Sequence, residues 1–170
     1  MGLSDHLINL QGIADINNFS RLPDDQRASL LRHAEESVTL AAQAALSTDD
    51  VPSIFTTLKK LCCRSLPPPQ NPSGAQFDAE EDEPVLMAGW PILAAVYQLT
   101  VRCLEGFPGD CRAFVDMTLV CQLMILLDSE DPRESECVKT IVHKCYGHYL
   151  HIRAPTRNAM QAILLETVHC

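Results

Sequence analysis

The sequence has little of what most enzyme classes require. Only 7 of its 170 residues are glycine, and aromatic residues make up 5% of the chain. It contains no G-x-S-x-G, H-E-x-x-H or glycine-rich phosphate loop, the motifs that position a nucleophile, zinc ligands or a nucleotide. The acid-rich run "DSEDPRESECVK" lacks the glycine that turns an EF-hand calcium loop. We therefore expect no catalytic activity and no cofactor.

Basic residues are also scarce. The chain has 13 Lys and Arg against 22 Asp and Glu, which gives a net charge of -9. Nucleic acids and anionic membranes need a basic face, so we expect neither as a partner. No apolar run approaches the length of a membrane span, and "MGLSDHLINL" lacks the positive start and long apolar stretch of a secretory signal. These features predict a cytoplasmic or nuclear protein whose partners are other proteins.

The eight cysteines do not form a metal-binding pattern. The sequence has no C-x-x-C pair, and Cys62 and Cys63 are adjacent. Cys145, His148 and His151 follow one another at intervals of three, which spreads them around a helix instead of converging them on one ion. We therefore predict no metal site and expect most of the thiols to be small core residues, since free cysteine packs as an apolar group.

Helical periodicity dominates what is present. Apolar residues recur at helical spacing, and prolines and acids mark the helix starts. The pattern predicts helices at about 22–46, 48–66, 85–105, 110–127, 133–152 and from Pro155 to the end, with Thr48 to Asp50 as candidate caps and Pro91 in the first turn or at a kink. In the second helix, Ile54, Leu58, Leu61 and Cys62 are expected to face inward.

Residues 67–84 cannot form regular structure, because they hold five prolines, one glycine and five acids between 78 and 83. Phe77 is a candidate anchor for this loop. Helices of this length joined by short turns predict an all-α protein in which paired helices stack as a solenoid.

Two stripes follow from a rotation of about 100° per residue along 138–153. The core face is predicted to comprise Val138, Ile141, Val142, Cys145, Tyr149 and Ile152. A second stripe, about a quarter-turn away, comprises His143, Tyr146, Leu150 and Arg153, with Lys139 and Lys144 as solvent-facing candidates. This stripe suits a peptide groove with an apolar anchor and an acidic or phosphorylated flank. It equally suits a helix edge packed on its neighbour, with Arg153 bonding a helix end.

Four motifs carry a resemblance to a known family. "LPPPQNPSGAQFDAEEDEP", "WPILAAVYQLTVRCLE", "LLDSEDPRE" and "HKCYGHYLHIR", in this order, closely resemble the B-prime family of regulatory subunits of protein phosphatase 2A. The similarity covers roughly residues 55–158. Residues 1–50 match poorly and form a separate N-terminal helical segment, whereas 51–170 would hold HEAT-like repeats with the acidic loop at 67–84.

The resemblance implies a HEAT-like helical-repeat solenoid with no catalysis of its own. Members of the family bind the phosphatase scaffold and catalytic subunits and recruit substrate proteins through short Leu-x-x-Ile-x-Glu motifs, often phosphorylated. The residues that match the family's peptide groove are His143, Tyr146 and Arg153, with Lys144 in place of an arginine. The resemblance thus favours the groove over the packed helix edge.

The sequence also departs from the family. The family solenoid is more than twice as long, so the resemblance implies that this chain corresponds to its N-terminal portion and stops where the next helix pair should supply the other groove wall. Lys144 cannot make the two-pronged contact that an arginine makes with a carboxylate. We therefore expect weak peptide binding. The alternative is a diverged, free-standing helical adaptor that no longer assembles with the phosphatase.

Overall fold

The structure, a computed structural model, describes residues 2–44, 46–67 and 86–169, with side chains as far as residue 161. Its α-helices are α1 (Leu3–Leu10), α2 (Asp24–Gln43), α3 (Val51–Cys62), α4 (Trp90–Gly106), α5 (Pro108–Cys111), α6 (Met117–Ile125), α7 (Pro132–His148) and α8 (Leu150–His169). Short 3-10 turns occupy Ile16–Arg21, Thr48–Asp50 and Leu126–Asp128. No strand occurs among these residues. The predicted loop at 67–84, including Phe77, lies outside them apart from Pro67.

The helices form stacked pairs. Helix α1 packs on α2, α3 on α4, and α6 on α7. The second helices of these pairs form a row, because α4 contacts α2 on one side and α7 on the other, while the first helices α1 and α3 also touch. Helix α8 follows the third pair and packs on α6 and α7. This arrangement confirms the predicted all-α, HEAT-like solenoid.

Helix α4 lies at the centre of the stack. Nine of its 17 residues are buried, since it has neighbours on both sides as well as its own partner α3. Pro91 lies in its first turn, where the missing N–H would have no helical partner. In α3, the four predicted inward residues are all buried: Ile54, Leu58, Leu61 and Cys62. Within the described residues, no helix has the length and apolarity needed to cross a bilayer.

The predicted start of the fourth helix at 110 is wrong. Residues Pro108–Cys111 form a separate single turn, α5, and the long helix α6 begins only at Met117. Its start is fixed by Asp116, whose Oδ1 accepts a hydrogen bond from the backbone N–H of Leu119 at 2.7 Å. In the sequence, Pro108 already marks a helix start, so the second start at Met117 was not predicted.

The predicted break at Pro155 is also wrong. Helix α7 ends at His148, Tyr149 is extended with φ -118° and ψ 105°, and α8 passes through Pro155. The extended conformation lets the Tyr149 hydroxyl donate to the carbonyl oxygen of Pro108 at 2.7 Å. The His151 ring lies 3.1 Å from the carbonyl oxygen of Val115. Contacts to the α5–α6 region therefore fix the helix break, and no proline or glycine is needed at that position.

Candidate peptide-binding groove

An open groove of about 590 Å³ runs along the side of α7 toward α8. It is lined by Leu127, Lys139, Thr140, Val142, His143, Lys144, Tyr146, Thr156 and Met160. Three of the four residues predicted to bind a peptide lie in this lining, namely His143, Lys144 and Tyr146. The fourth, Arg153, does not line the groove. The six predicted core residues of this region are all buried, and one of them, Val142, also lines the groove: Val138, Ile141, Val142, Cys145, Tyr149 and Ile152.

His143 and Tyr146 present polar groups at the groove wall. The His143 ring is exposed and forms no hydrogen bond with the described residues. Tyr146 is half-buried, and its hydroxyl accepts a hydrogen bond from Nη1 of Arg157 at 3.0 Å. The two side chains, three residues apart on α7, therefore face the same opening with a ring nitrogen and a phenol available for contact.

The two lysines at the groove have partners. Nζ of Lys144 lies 2.6 Å from Oε1 of Glu105 at the end of α4, and Nζ of Lys139 lies 2.6 Å from Oε1 of Glu136. Both carboxylates are more than half exposed. Such exposed pairs hold together weakly, so an incoming carboxylate or phosphate can compete for the lysines.

Arg153 stabilises the junction between the two helices. Its Nε donates to the carbonyl oxygen of Tyr146 at 2.8 Å, and Nη2 donates to that of Gly147 at 3.0 Å. These carbonyls belong to the last turn of α7, which has no helical partners for them. The guanidinium carbon also lies 5.4 Å from the centre of the Tyr146 ring. Arg153 thus makes the helix-end contact and also contacts the ring of Tyr146.

Arg157 is a groove-supporting residue that the sequence patterns did not predict. It follows Arg153 by four residues, so both arginines lie on the same face of α8 and reach Tyr146. This spacing would have indicated Arg157 if α8 had been predicted to continue through Pro155. Placing the helix break at the proline separated the two arginines and concealed their common face.

The groove combines an apolar floor with a basic edge. Leu127 and Val142 supply apolar surface, and Met160 adds a flexible side chain that is 45% exposed. Lys139 and Lys144 place positive charge beside this floor, in a chain whose net charge is -9. A binding surface of this kind suits a short segment with an apolar anchor and an acidic or phosphorylated flank.

Cys145, on the buried face of α7, is chemically inert. Burial, together with the nearby Cys111, raises the pKa of Cys145 to about 12. Its sulfur is therefore protonated at neutral pH and is neither a nucleophile nor a ready metal ligand. Of the seven cysteines that the structure describes, Cys62, Cys103, Cys111 and Cys145 are buried, as predicted for small core residues.

The opposite end of α7 holds a second polar cluster, which we call the buried joint: Arg64, Tyr97, Ser129 and Glu134. The Arg64 guanidinium donates to both oxygens of Glu134 at 2.9 and 2.8 Å. The Tyr97 hydroxyl donates to Oε1 of Glu134 and the Ser129 hydroxyl to Oε2, both at 2.7 Å. Burial, followed by the neighbouring Cys62 and the negative charge of Glu134, raises the pKa of Tyr97, so that it stays a neutral donor.

Asp131 sits beside the buried joint and caps α7. Its carboxylate accepts hydrogen bonds from the side chain and backbone of Arg133 and from the backbone N–H of Met87 at 3.0 Å. Burial of Asp131 opposes ionisation, but these hydrogen bonds outweigh it and hold the pKa of the carboxyl below its usual range. Two acids of the turn "DSEDPRE" are therefore structural: Glu134 binds Arg64, just after α3, and Tyr97 of α4, and Asp131 binds the start of α7.

Comparisons with known proteins agree with the motifs in the sequence. The family model described as "Protein phosphatase 2A regulatory B subunit (B56 family)" matches residues 14–170. The "Serine/threonine-protein phosphatase 2A 56 kDa regulatory subunit delta isoform" of Oryctolagus cuniculus is 41% identical over 121 residues, which cover 69% of this chain and 21% of that protein. The beta isoform of Homo sapiens is 41% identical over 121 residues, covering 69% of this chain and 24% of that protein.

The human alpha isoform is 42% identical over 109 residues, covering 62% of this chain and 22% of that protein. The chain spans about a fifth to a quarter of the length of these curated relatives. The family model nevertheless covers most of the chain, including much of the N-terminal segment. The resemblance to the B-prime family is thereby confirmed, and the chain belongs to the B56 family of protein phosphatase 2A regulatory B subunits.

Proposed function

We propose that this protein is a non-catalytic regulatory subunit that binds the scaffold and catalytic subunits of protein phosphatase 2A and recruits substrate proteins. Recruitment would occur through acidic or phosphorylated short motifs that dock in the groove along α7 and α8. The observation that carries the proposal is the convergence of His143, Lys144 and Tyr146 on one groove. The relatives are named as regulatory subunits of this phosphatase, which supports the first part.

The chemistry of the groove supports an acidic ligand over a neutral one. An apolar side chain of the ligand would pack on Leu127, Val142 and Met160. Full burial of such a ligand side chain contributes about 1.5–3 kcal/mol to the binding free energy. A carboxylate or phosphate beside that anchor would meet Lys144 and the exposed ring of His143. A Leu-x-x-Ile-x-Glu segment offers both features, since its apolar residues precede an acid.

Arg153 enters this proposal as a positioning residue. Its guanidinium binds the carbonyls of Tyr146 and Gly147 and contacts the Tyr146 ring. Arg153 therefore affects a ligand indirectly, by fixing the position of Tyr146. Replacing it by Glu would remove these contacts and place a negative charge at the negative end of the helix dipole of α7. We expect Arg153→Glu to lower both the melting temperature and the peptide affinity.

The direct test is a calorimetric titration of the full chain with a phosphorylated Leu-x-x-Ile-x-Glu peptide. Lys144→Glu should weaken binding roughly tenfold, which corresponds to about 1.4 kcal/mol. The matched control is Lys60→Glu, which makes the same charge reversal at an exposed site on α3. Equal effects of the two variants would show only long-range electrostatics, and unchanged binding in Lys144→Glu would refute the proposed groove.

The assembly part of the proposal has its own test. Tagged protein mixed with purified scaffold and catalytic subunits should retain both through a pull-down, and Lys144→Glu should leave this retention unchanged. Peptide binding without retention of either subunit would instead identify a free-standing helical adaptor. Phosphopeptide hydrolysis should appear only when the catalytic subunit is present. Turnover by the rigorously purified chain alone would contradict a non-catalytic role.

A further inference from the structure

Two histidines and a glutamate meet where α1 packs on α2, far along the stack from the groove. Nδ1 of His6 lies 3.1 Å from Nδ1 of His33 and 3.2 Å from Oε2 of Glu36. All three atoms lie within 4.8 Å of one another. His6 is buried, whereas Glu36 is about half exposed.

These distances suit a shared metal ion. Zinc binds imidazole nitrogen and carboxylate oxygen at about 2.0–2.2 Å in tetrahedral geometry, which places neighbouring ligand atoms about 3.3 Å apart. The separations of 3.1 and 3.2 Å around Nδ1 of His6 are close to that spacing. Two histidines and one carboxylate also form a known zinc ligand set, in which a fourth position stays open to water.

The backbone places the ligands without distortion. His33 and Glu36 are three residues apart on α2, so their side chains lie on the same face of that helix. His6 reaches them from α1, which packs closely along α2. An ion held by all three residues would therefore connect the two helices of the first pair.

The surroundings allow an ion to enter and do not repel it. His6 and Glu36 line an open depression, together with Arg32, Glu35, Thr39 and Leu40. The charges of Arg32 and Glu35 offset each other, so the carboxylate of Glu36 supplies the net charge facing a cation. The two imidazoles can serve as ligands when their facing nitrogens carry no proton.

We propose that His6, His33 and Glu36 form a Zn²⁺ site that fastens α1 to α2, with water as the fourth ligand. The site is independent of the peptide groove, because its ligands come from the first helix pair. Bound zinc would stabilise the folded chain by an amount that grows with the logarithm of one plus the ratio of free zinc concentration to the dissociation constant. The competing arrangement is a hydrogen-bonded cluster in which one proton bridges His6 to a neighbour.

The test uses the full chain after chelator treatment and measures Zn²⁺ binding by calorimetry and Co²⁺ binding by absorption. We expect one ion per chain, and a cobalt spectrum of tetrahedral nitrogen and oxygen ligation without thiolate charge-transfer bands. His33→Gln and Glu36→Gln should each weaken binding by roughly tenfold or more, since even the loss of a group that supports a ligand costs 10- to 100-fold. Both positions lie on the accessible side of α2, so circular dichroism can confirm that the variants fold.

The matched control is His148→Gln, which removes an exposed histidine that belongs neither to this cluster nor to the groove lining. This variant should bind Zn²⁺ as the unmodified chain does, and Zn²⁺ should raise the melting temperature of both. Three results would overturn the proposal: no saturable binding of one ion, equal affinity in the His33→Gln and Glu36→Gln double variant, or thiolate bands in the cobalt spectrum. The first would leave a hydrogen-bonded cluster, and the last would place the ion on cysteines.

Discussion

At the start of α7, Glu134 is fully buried and accepts hydrogen bonds from Arg64, Tyr97 and Ser129. About two and a half turns later, His143 is exposed and Lys144 pairs with the partly exposed Glu105. Both ends of the helix carry charged and hydrogen-bonding groups, and in the sequence both look equally suited to a binding site. The two ends differ in how deeply their polar groups are buried and in how completely these groups are hydrogen-bonded within the protein.

The difference has a physical basis in what each end can still bind. Within the described residues, every buried polar side-chain atom of the buried joint already has a partner, so a ligand would have to break existing hydrogen bonds around the fully buried carboxylate of Glu134. At the groove the His143 ring is exposed and the two lysines pair only with carboxylates that are more than half exposed, so a ligand displaces water or a weak surface pair. The buried joint therefore stabilises the stack, and the groove is available for recognition.

The largest expected effect comes from breaking the buried joint. Glu134→Gln would leave the guanidinium of Arg64 buried without its counter-charge, since Arg64 is 8% exposed and Glu134 is 0% exposed. Losing one partner of a buried ion pair costs about 3–5 kcal/mol of unfolding free energy. Urea denaturation followed by circular dichroism measures this loss. The control Glu136→Gln, two residues away and 70% exposed, should cost under about 1 kcal/mol.

A similar loss in the two variants would contradict the distinction between the buried joint and the groove. The unfolding free energies of the two variants can be compared directly, because both substitutions replace a glutamate on α7 by glutamine. Neither residue lines the groove, although Glu136 pairs with Lys139, which does. Peptide binding, measured on whatever fraction of Glu134→Gln remains folded, should match that of the unmodified chain.

A smaller effect concerns pH and Asp131. The folded-state pKa of this carboxyl is lowered, so its contribution to stability is present above the unfolded value and is lost as pH falls through the folded one. Asp131→Asn removes hydrogen bonds to a charged group, worth roughly 1.5–3 kcal/mol at neutral pH. The stability gap between the two proteins should then narrow as pH falls below about 5.

Denaturation curves recorded between neutral and acidic pH test this expectation. Asp116 also has a lowered pKa, owing first to the hydrogen bond from the backbone of Leu119, but it is present in both proteins and cancels in the difference. A gap that stays constant with pH would show that Asp131 acts through packing instead of charge. A gap that widens in acid would have the wrong sign for a lowered pKa.

The sequence predicted the parts of this structure that depend on local periodicity. The core face of α7 and the inward side of α3 followed from helical spacing, because a helix against a core must bury residues every three to four positions. The helix ends at Met117 and His148 did not follow. The start of α6 at Met117 depends on the cap at Asp116, which the pattern missed because Pro108 already marked a helix start. The end of α7 at His148 depends on contacts from Tyr149 and Arg153 to other parts of the fold.

Helical spacing also could not predict contacts between residues that are far apart in the sequence. Arg64 and Glu134 are 70 residues apart, and His6 and His33 are 27 apart, so spacing along one helix carries no information on either meeting. Within the groove, helical spacing did bring His143 and Tyr146 together. It placed Arg153 on the same stripe, although the break at Tyr149 turns that side chain toward the end of α7.

The smallest expected effect on stability, and the most informative for the groove, comes from Lys144. Lys144→Gln breaks only the pair with Glu105, whose carboxylate is 55% exposed, so the free energy of unfolding should change by less than about 1 kcal/mol. Affinity for an acidic peptide should nevertheless fall, because the positive charge beside the groove is lost. Urea denaturation and peptide titration of the same preparation measure both quantities. If Lys144→Gln destabilises the protein as much as Glu134→Gln does, the groove end of α7 is structural too, and the division of this helix into a stabilising end and a recognising end is wrong.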